Sequence, residues 1–282
     1  MGRRGLRLAA LVLVCTALGL GPTSALAAGP DPGVAQGGRG LVRADVRYVA
    51  IPTGGDTVVE AISRSTGQVL RYVAVHGNLG LPKVAYDGTT DGISADGRTL
   101  VLSQARTAQV RRTSSFAVID LPRLRVRSLP KLQGDFSFDA LSPDGRMLYL
   151  IEHVSAQDAL RYRVRAYDLS AGRLLRKMVT DKRRWQSVMY GVPLARASSK
   201  GHRWAFTLYG GGARPFVHSL DTRKAYAVCI DLPQSWQRLD FGGVRLRMQG
   251  EGRLVVGYGP GTKPLAVLDT KKFRVLSSVR NP

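Results

Sequence analysis

The feature that most constrains this chain is a repeat of about fifty residues that begins near Leu41. One anchor of the repeat is a turn that launches a strand: Ser94-Ala95-Asp96-Gly97-Arg98 before Thr99-Leu100-Val101-Leu102, and Ser142-Pro143-Asp144-Gly145-Arg146 before Met147-Leu148-Tyr149-Leu150-Ile151. Ser and Asp side chains bond nearby backbone N–H groups and glycine tolerates positive φ, so Asp96, Gly97, Asp144 and Gly145 read as structural turn residues. Ser199-Lys200-Gly201 and Gly250-Glu251-Gly252 look like degenerate copies, and Asp96, Asp144, Lys200 and Glu251 follow one another at 48, 56 and 51 residues. A second anchor is an apolar strand closing on Asp120, Asp168, Asp221 and Asp269, spaced by 48, 53 and 48 residues. Ala61-Ile62-Ser63 is an earlier copy with Ser in place of Asp. Each unit offers about four short strands and almost no helical periodicity. Units of this length and content predict an all-β fold, a β-propeller of about five four-stranded blades over 41–76, 84–132, 136–180, 187–233 and 239–280. The first unit is short, so imperfect closure of the ring or recruitment of an N-terminal strand is expected. A β-sandwich is the alternative that irregular strand spacing leaves open.

The segment before the repeats divides in two. Met1 to Arg7 is basic, Leu8 to Leu20 is apolar, and Ala25-Leu26-Ala27 is an A-x-A site, which together predict a signal peptide over 1–27 and a secreted or extracytoplasmic mature chain. Arg3-Arg4 leaves the twin-arginine route open beside the general one. The stretch 28–40 is rich in Gly and Pro and reads as a flexible leader, with the propeller domain over 41–282. No other apolar run approaches membrane length, so no transmembrane anchor is expected in the mature chain. With 42 Lys and Arg against 20 Asp and Glu, three of the arginines within 1–27, the mature charge is 39 minus 20, or +19. Such a charge favours protein or anionic envelope-polymer partners. No nucleic-acid reader motif accompanies it, and export separates the chain from the chromosome, so nucleic acid is not expected. Cys229 is the one cysteine of the mature chain, which rules out an intramolecular disulfide and leaves stability to packing.

Ser142-Pro143-Asp144-Gly145-Arg146-Met147-Leu148-Tyr149, with the weaker Ser94 to Val101, resembles the repeat core of YVTN-like, TolB-like and WD40-like bacterial propellers. Trp204 to Gly212, continuing through Pro215 to Asp221 and Cys229 to Pro233, resembles secreted propeller-type proteins of high-GC Gram-positive bacteria. The resemblance implies the propeller fold and a secreted repeat protein, and it implies no particular activity, since propellers host unrelated functions. The chain departs from the WD40 pattern in lacking regular Gly-His and Trp-Asp pairs. It departs from the sialidase Asp-box in that Asp144 and Gly145 are adjacent.

The chain carries little catalytic spacing. His76, His153, His202 and His218 form no H-x-H, HExxH or His/Cys ligand pattern, so no metal or cofactor is expected. His202 and His218 flank a hairpin and are candidates to face one another across it. Asp87-Gly88-Thr89-Thr90-Asp91-Gly92 lacks the spacing of a calcium loop and reads as a polar blade connection. There is no G-x-S-x-G elbow, Ser198-Ser199-Lys200 is not an S-x-x-K site, and Gly210 to Gly212 reads as a hairpin turn. Cys229 lies in an apolar strand, as a small buried residue does. The strongest local candidate for ligand binding is Lys182-Arg183-Arg184-Trp185 with Tyr190, which combines cations with flat rings. The reading is a non-catalytic binding or scaffold protein that uses a propeller face. A secreted hydrolase or lactonase-like propeller is the alternative.

Overall fold

The computed structural model describes residues 31–106, 110–184 and 187–279. The signal-peptide expectation for 1–27 lies outside them. Five antiparallel sheets follow one another along the chain. The first holds Leu41–Arg43, Val46–Pro52, Asp56–Ser63 and Val69–His76. In the second, Leu79–Pro82, Thr99–Gln104 and Thr113–Asp120 run outward, and Arg125–Ser128 and Lys131–Gln133 both pair with Thr113–Asp120. The third is built from Phe136–Leu141, Met147–His153 and Arg161–Asp168, edged by Arg173–Leu174 and Val188–Tyr190. The fourth comprises Val192–Ser198, Trp204–Gly210, Phe216–Asp221 and Tyr226–Asp231. The fifth comprises Arg245–Gln249, Arg253–Gly257, Ala266–Asp269 and Arg274–Ser278.

Four apolar clusters join these sheets face to face in chain order. Val59, Ala61, Leu100 and Ile119 join the first to the second, and Val101, Val118, Leu148 and Leu150 join the second to the third. Tyr149, Val164, Leu220 and Cys229 join the third to the fourth, and Phe206, Ile230, Leu254 and Leu268 join the fourth to the fifth. Because the inner sheets are covered on both faces, their strands read as continuous apolar runs: Leu100 to Leu102, Ala117 to Ile119 and Leu148 to Leu150 are buried at every position. A linear stack would hold the first and second sheets away from the fourth. Here the connection that follows the second blade's inner strand bonds the fourth blade's inner strand, Tyr86 N to Pro193 O and Asp87 N to Leu194 O, so the stack curves about an axis, as blades of a propeller do. Among the described residues no sheet pairing or apolar cluster joins the fifth blade to the first, and the ring is open there.

Both anchors are local hydrogen-bond devices. Ser94 Oγ donates to Asp96 Oδ1 at 2.6 Å and accepts from Thr99 N at 3.0 Å; Ser142 Oγ donates to Asp144 Oδ1 at 2.6 Å and accepts from Met147 N at 2.9 Å. Ser199 Oγ accepts from Trp204 N at 2.9 Å, so the degenerate copy keeps the serine's role after losing the aspartate. The second anchor caps the turn to the outer strand. Asp168 Oδ1 accepts from Ser170 N and Ala171 N, Asp221 Oδ1 from Arg223 N and Lys224 N, and Asp269 Oδ1 from Lys271 N and Lys272 N, at 2.8 to 3.1 Å. Four residues after each anchor the chain turns left-handed. Gly67 and Gly172 take φ 73° and 64°, whereas Leu124, Ala225 and Phe273 take 45°, 51° and 50° at the same place, a conformation that L-residues adopt at a cost.

Part of the stretch expected to be a flexible leader is instead built into the fold. Val34–Ala35 pairs with Leu81 and Pro82 on the inner edge of the second blade, Gly37 N donates to Ala50 O, and Asp31 is buried. The N-terminal strand is therefore recruited by the second blade rather than by the short first one. The reason is an unfilled inner edge: Leu79–Pro82 pairs with Thr99–Gln104 on one side only, and burying its other N–H and C=O groups requires a partner.

Candidate functional site

The axis of the fold is crossed by a plug. Between Leu79–Pro82 and Ser94 the chain leaves the second blade, and Tyr86 N and Asp87 N donate to Pro193 O and Leu194 O of the fourth blade's inner strand at 2.8 and 3.0 Å. Those carbonyls are free because the strand carries a bulge at Leu194, where its register against Trp204–Gly210 shifts. Asp87 secures the plug at both ends, with Oδ1 accepting from Thr89 N at 2.9 Å and Oδ2 from Arg196 N at 3.2 Å. A second bulge lies at Asp139 in the third blade's inner strand and turns its carboxylate toward Arg196. The Arg196 guanidinium donates to Asp139 Oδ1 and O, both at 2.8 Å, and to Thr207 Oγ1 at 2.6 Å. This ion pair is almost wholly buried, with the two side chains 2% and 4% exposed. It therefore ties blades three and four across the axis under conditions where neither charge can be removed cheaply.

The predicted Lys182 to Tyr190 cluster divides. Asp181 adds in parallel to the outer strand of the fourth blade at Ala227, and its carboxylate accepts from Arg183 N and Cys229 N. Lys182 places its ammonium 3.8 Å from the centre of the Tyr226 ring. Arg183 donates to Cys229 O and, at 3.0 Å, to Phe273 O, so it clamps the fourth blade to the fifth. Trp185 lies outside the described residues. Arg184 and Tyr190 do converge, on a cavity of about 330 Å³ at the rim between blades three and four.

Two residues that sequence reasoning missed complete this pocket. Arg184 and Arg214 both bond Asp231 Oδ2, the latter at 3.4 Å, and Arg214 also reaches Gln234 Oε1 at 3.3 Å. The hydrogen bond to Asp231 holds the Arg184 guanidinium above its ordinary pKa. One carboxylate thus neutralises one of two guanidiniums, and each is about half exposed. Met189, Tyr190 and Phe216 supply apolar wall, and the Tyr190 ring is itself exposed. The arrangement is a cationic mouth on an apolar floor, suited to an anionic group carried on a flat or aliphatic body.

A different cluster has the residue types of a hydrolase and the wrong wiring. Ser137 Oγ lies 2.9 Å from His153 Nε2 and donates at 2.7 Å to Asp31 Oδ2. An ionised carboxylate only accepts, so the serine proton points to Asp31 and Nε2–H must donate to Oγ. Histidine in that tautomer cannot take the serine proton, and His153 Nδ1 is buried without a partner. Burial, reinforced by the positive charge of Arg106, drives the His153 pKa down to about 3, so the ring is neutral. His202 and His218 do not face one another: His218 is buried opposite Thr207, while His202 sits in the turn before Trp204. Burial also pushes the Cys229 thiol well up, which keeps it protonated. Among the described residues no group of three or more His, Cys, Asp or Glu is placed to hold a metal ion.

Fold and sites together define a β-propeller, open between its last and first blades, with a plugged axis and a cationic pocket at the rim. No family model matches the sequence, and no curated protein matches it. Among solved structures, TolB from Acinetobacter baumannii is similar at 14% identity and TM-score 0.43, covering 82% of this chain and 50% of that one. A prolyl endopeptidase is similar at 13% identity and TM-score 0.47, covering 88% and 34%. The β-propeller domain of Myceliophteria thermophila Cps50 (Swd1) is similar at 12% identity and TM-score 0.43, covering 81% and 62%. The chain thus spans half of the TolB chain and about a third of the endopeptidase, and the propeller assignment rests on the sheets themselves.

Proposed function

We infer that this protein is an extracytoplasmic binding or scaffold protein that holds its partner, a protein or an anionic envelope polymer, by an anionic group seated at the rim pocket. The observation that carries this reading is the pair of guanidiniums, Arg184 and Arg214, sharing the single carboxylate of Asp231 above an apolar floor. An incoming carboxylate or phosphate gains a charge-assisted bond from the guanidinium left in excess, and its carrier covers Tyr190 and Phe216. The +22 formal charge of the whole chain raises the encounter rate with such partners without choosing among them. The N-terminal basic, apolar and A-x-A sequence supports export, and among the described residues no helix is long and apolar enough to cross a membrane. Arg183, which bonds two backbone carbonyls, belongs to the scaffold and not to the pocket.

The test compares Arg184→Gln/Arg214→Gln with Lys271→Gln/Lys272→Gln, an equal loss of charge on an exposed turn of the fifth blade. Fluorescence anisotropy with labelled oligoglutamate and with inorganic polyphosphate, at rising salt, reads both variants. The pocket reading expects the arginine variant to lose about tenfold or more in affinity and the lysine variant to lose far less. Equal losses would show that charge spread over the surface does the binding. Preference for the peptide over the polymer, or the reverse, assigns the class of partner.

A further inference from the structure

The plug also borders a second cavity, of about 170 Å³, between Thr89 to Ser94 and the inner strands of blades one and four. It has two unlike walls. Leu41, Ile93 and Ala197 form an aliphatic one, and Thr89, Thr90, Asp91, Ser198 and Arg196 form a polar one. The polar wall is under-used. Asp91 accepts one hydrogen bond at Oδ1, from Gly92 N at 2.7 Å, and the hydroxyls of Thr89, Thr90 and Ser198 have no protein partner among the described residues. Arg196 lines the same wall and is 5% exposed, its guanidinium turned to Asp139 and Thr207. The carboxylate of Asp91 and these three hydroxyls are thus left to bond a molecule held in the cavity.

The geometry points to a binding site for one small neutral polyol, a single sugar or cyclitol ring, in the cavity between the plug and the inner strands. Charge, size and polarity each select that class. Asp91 and Asp139 offset Arg196 and the neighbouring Arg43, so the cavity has no net charge for an ion to neutralise. Its volume is below that of drug-sized sites and admits one ring, not a chain passing through. Hydroxyls that both donate and accept meet hydroxyls of the ligand in either sense, a carboxylate takes two adjacent ligand hydroxyls, and the aliphatic wall receives the ring's C–H face. Burial holds the Asp91 carboxyl above its usual range, with Arg196 pulling the other way, and a pair of ligand hydroxyls favours the ionised form.

Isothermal titration of the mature protein with myo-inositol, glucose, mannose, galactose and their methyl glycosides tests this site. The expected result is saturable binding of at least one ring with a dissociation constant on the order of 0.1–1 mM. Asp91→Asn and Thr90→Val should each weaken it, the former by about ten- to a hundredfold, while Arg214→Gln leaves it unchanged. Thr90→Val keeps the proposal testable if Asp91→Asn does not fold, and circular dichroism checks both. Binding of free rings and not of methyl glycosides identifies a free polyol as ligand, and binding of both identifies the end of a polymer. No saturable binding by any ring, binding indifferent to both cavity variants, or binding lost in Arg214→Gln would overturn the assignment.

Discussion

Acid should destabilise this protein before its carboxylates titrate, because two histidines are buried in neutral form. His153 is lowered to about 3 by burial and the Arg106 charge, and His218 to about 4 by burial, against an ordinary value near 6.5. Both shifts run the same way. The unfolded chain takes up protons as pH falls through 6.5 while the folded chain does not, so the stabilisation is complete above that pH and lost as pH falls toward the folded values. The shifts of 6.5 minus 3 and 6.5 minus 4 correspond to about 5 and about 3 kcal/mol in full, and between pH 7 and pH 5 to about 2 kcal/mol each. A loss of about 4 kcal/mol over two pH units is a large share of the roughly 5–15 kcal/mol that holds a domain together. Asp and Glu titrate mainly below this window, which isolates the histidines. Urea unfolding at pH 7, 6 and 5 measures the loss directly. His153→Gln, which can still donate to Ser137, should be less stable at pH 7 and show about half the pH dependence. A free energy constant within about 1 kcal/mol from pH 7 to 5, or a variant with the full slope, would refute the reasoning.

Three further outcomes are expected from the scaffold. Ala225→Gly should raise stability by about 0.5–1 kcal/mol and Gly172→Ala should lower it by about 1 kcal/mol, read by thermal melting, because the two residues share a left-handed turn position and a Cβ on Gly172 meets only the Tyr167 hydroxyl, at an unstrained 3.9 Å. Arg196→Met should cost about 3–5 kcal/mol by leaving Asp139 charged and buried, and Arg196→Met/Asp139→Leu should recover most of it; additive losses in urea unfolding would show that the two are not coupled. Asp168→Ala should cost about 1 kcal/mol by releasing the N–H groups of Ser170 and Ala171, and hydrogen exchange at those two amides should speed up.

The blade plan was readable because its signals are local. A Ser or Asp that bonds the backbone two to five residues away acts in any context, so Ser94, Ser142, Asp168, Asp221 and Asp269 announced their turns before any tertiary contact was known. The rim pocket was half visible for the opposite reason. Arg184 stood out in a basic run, whereas Arg214 and Asp231 come from a hairpin and a strand end seventeen residues apart, and only the pairing of Phe216 with Asp231 brings them together. Arg196 and Asp139 carry a sequence signal of another kind. Each is a charge inside an apolar inner strand, Val192 to Ala197 and Phe136 to Leu141, where a charge is retained only with a partner.

The plug is beyond reach of any local rule. Asp87 to Gly92 has the composition of a polar connection, and nothing in it signals that Tyr86 and Asp87 will pair with Pro193 and Leu194 more than a hundred residues later. The pairing exists because a bulge at Leu194 leaves carbonyls that buried backbone must satisfy, and the second blade's excursion supplies the N–H groups. An open propeller axis would invite a long ligand through the middle. A plugged one closes that route, so Asp87→Ala, which frees both the Arg196 N–H and the Thr89 N–H, should disturb the proposed polyol binding beside the plug while leaving the proposed anion binding at Arg184 and Arg214 intact.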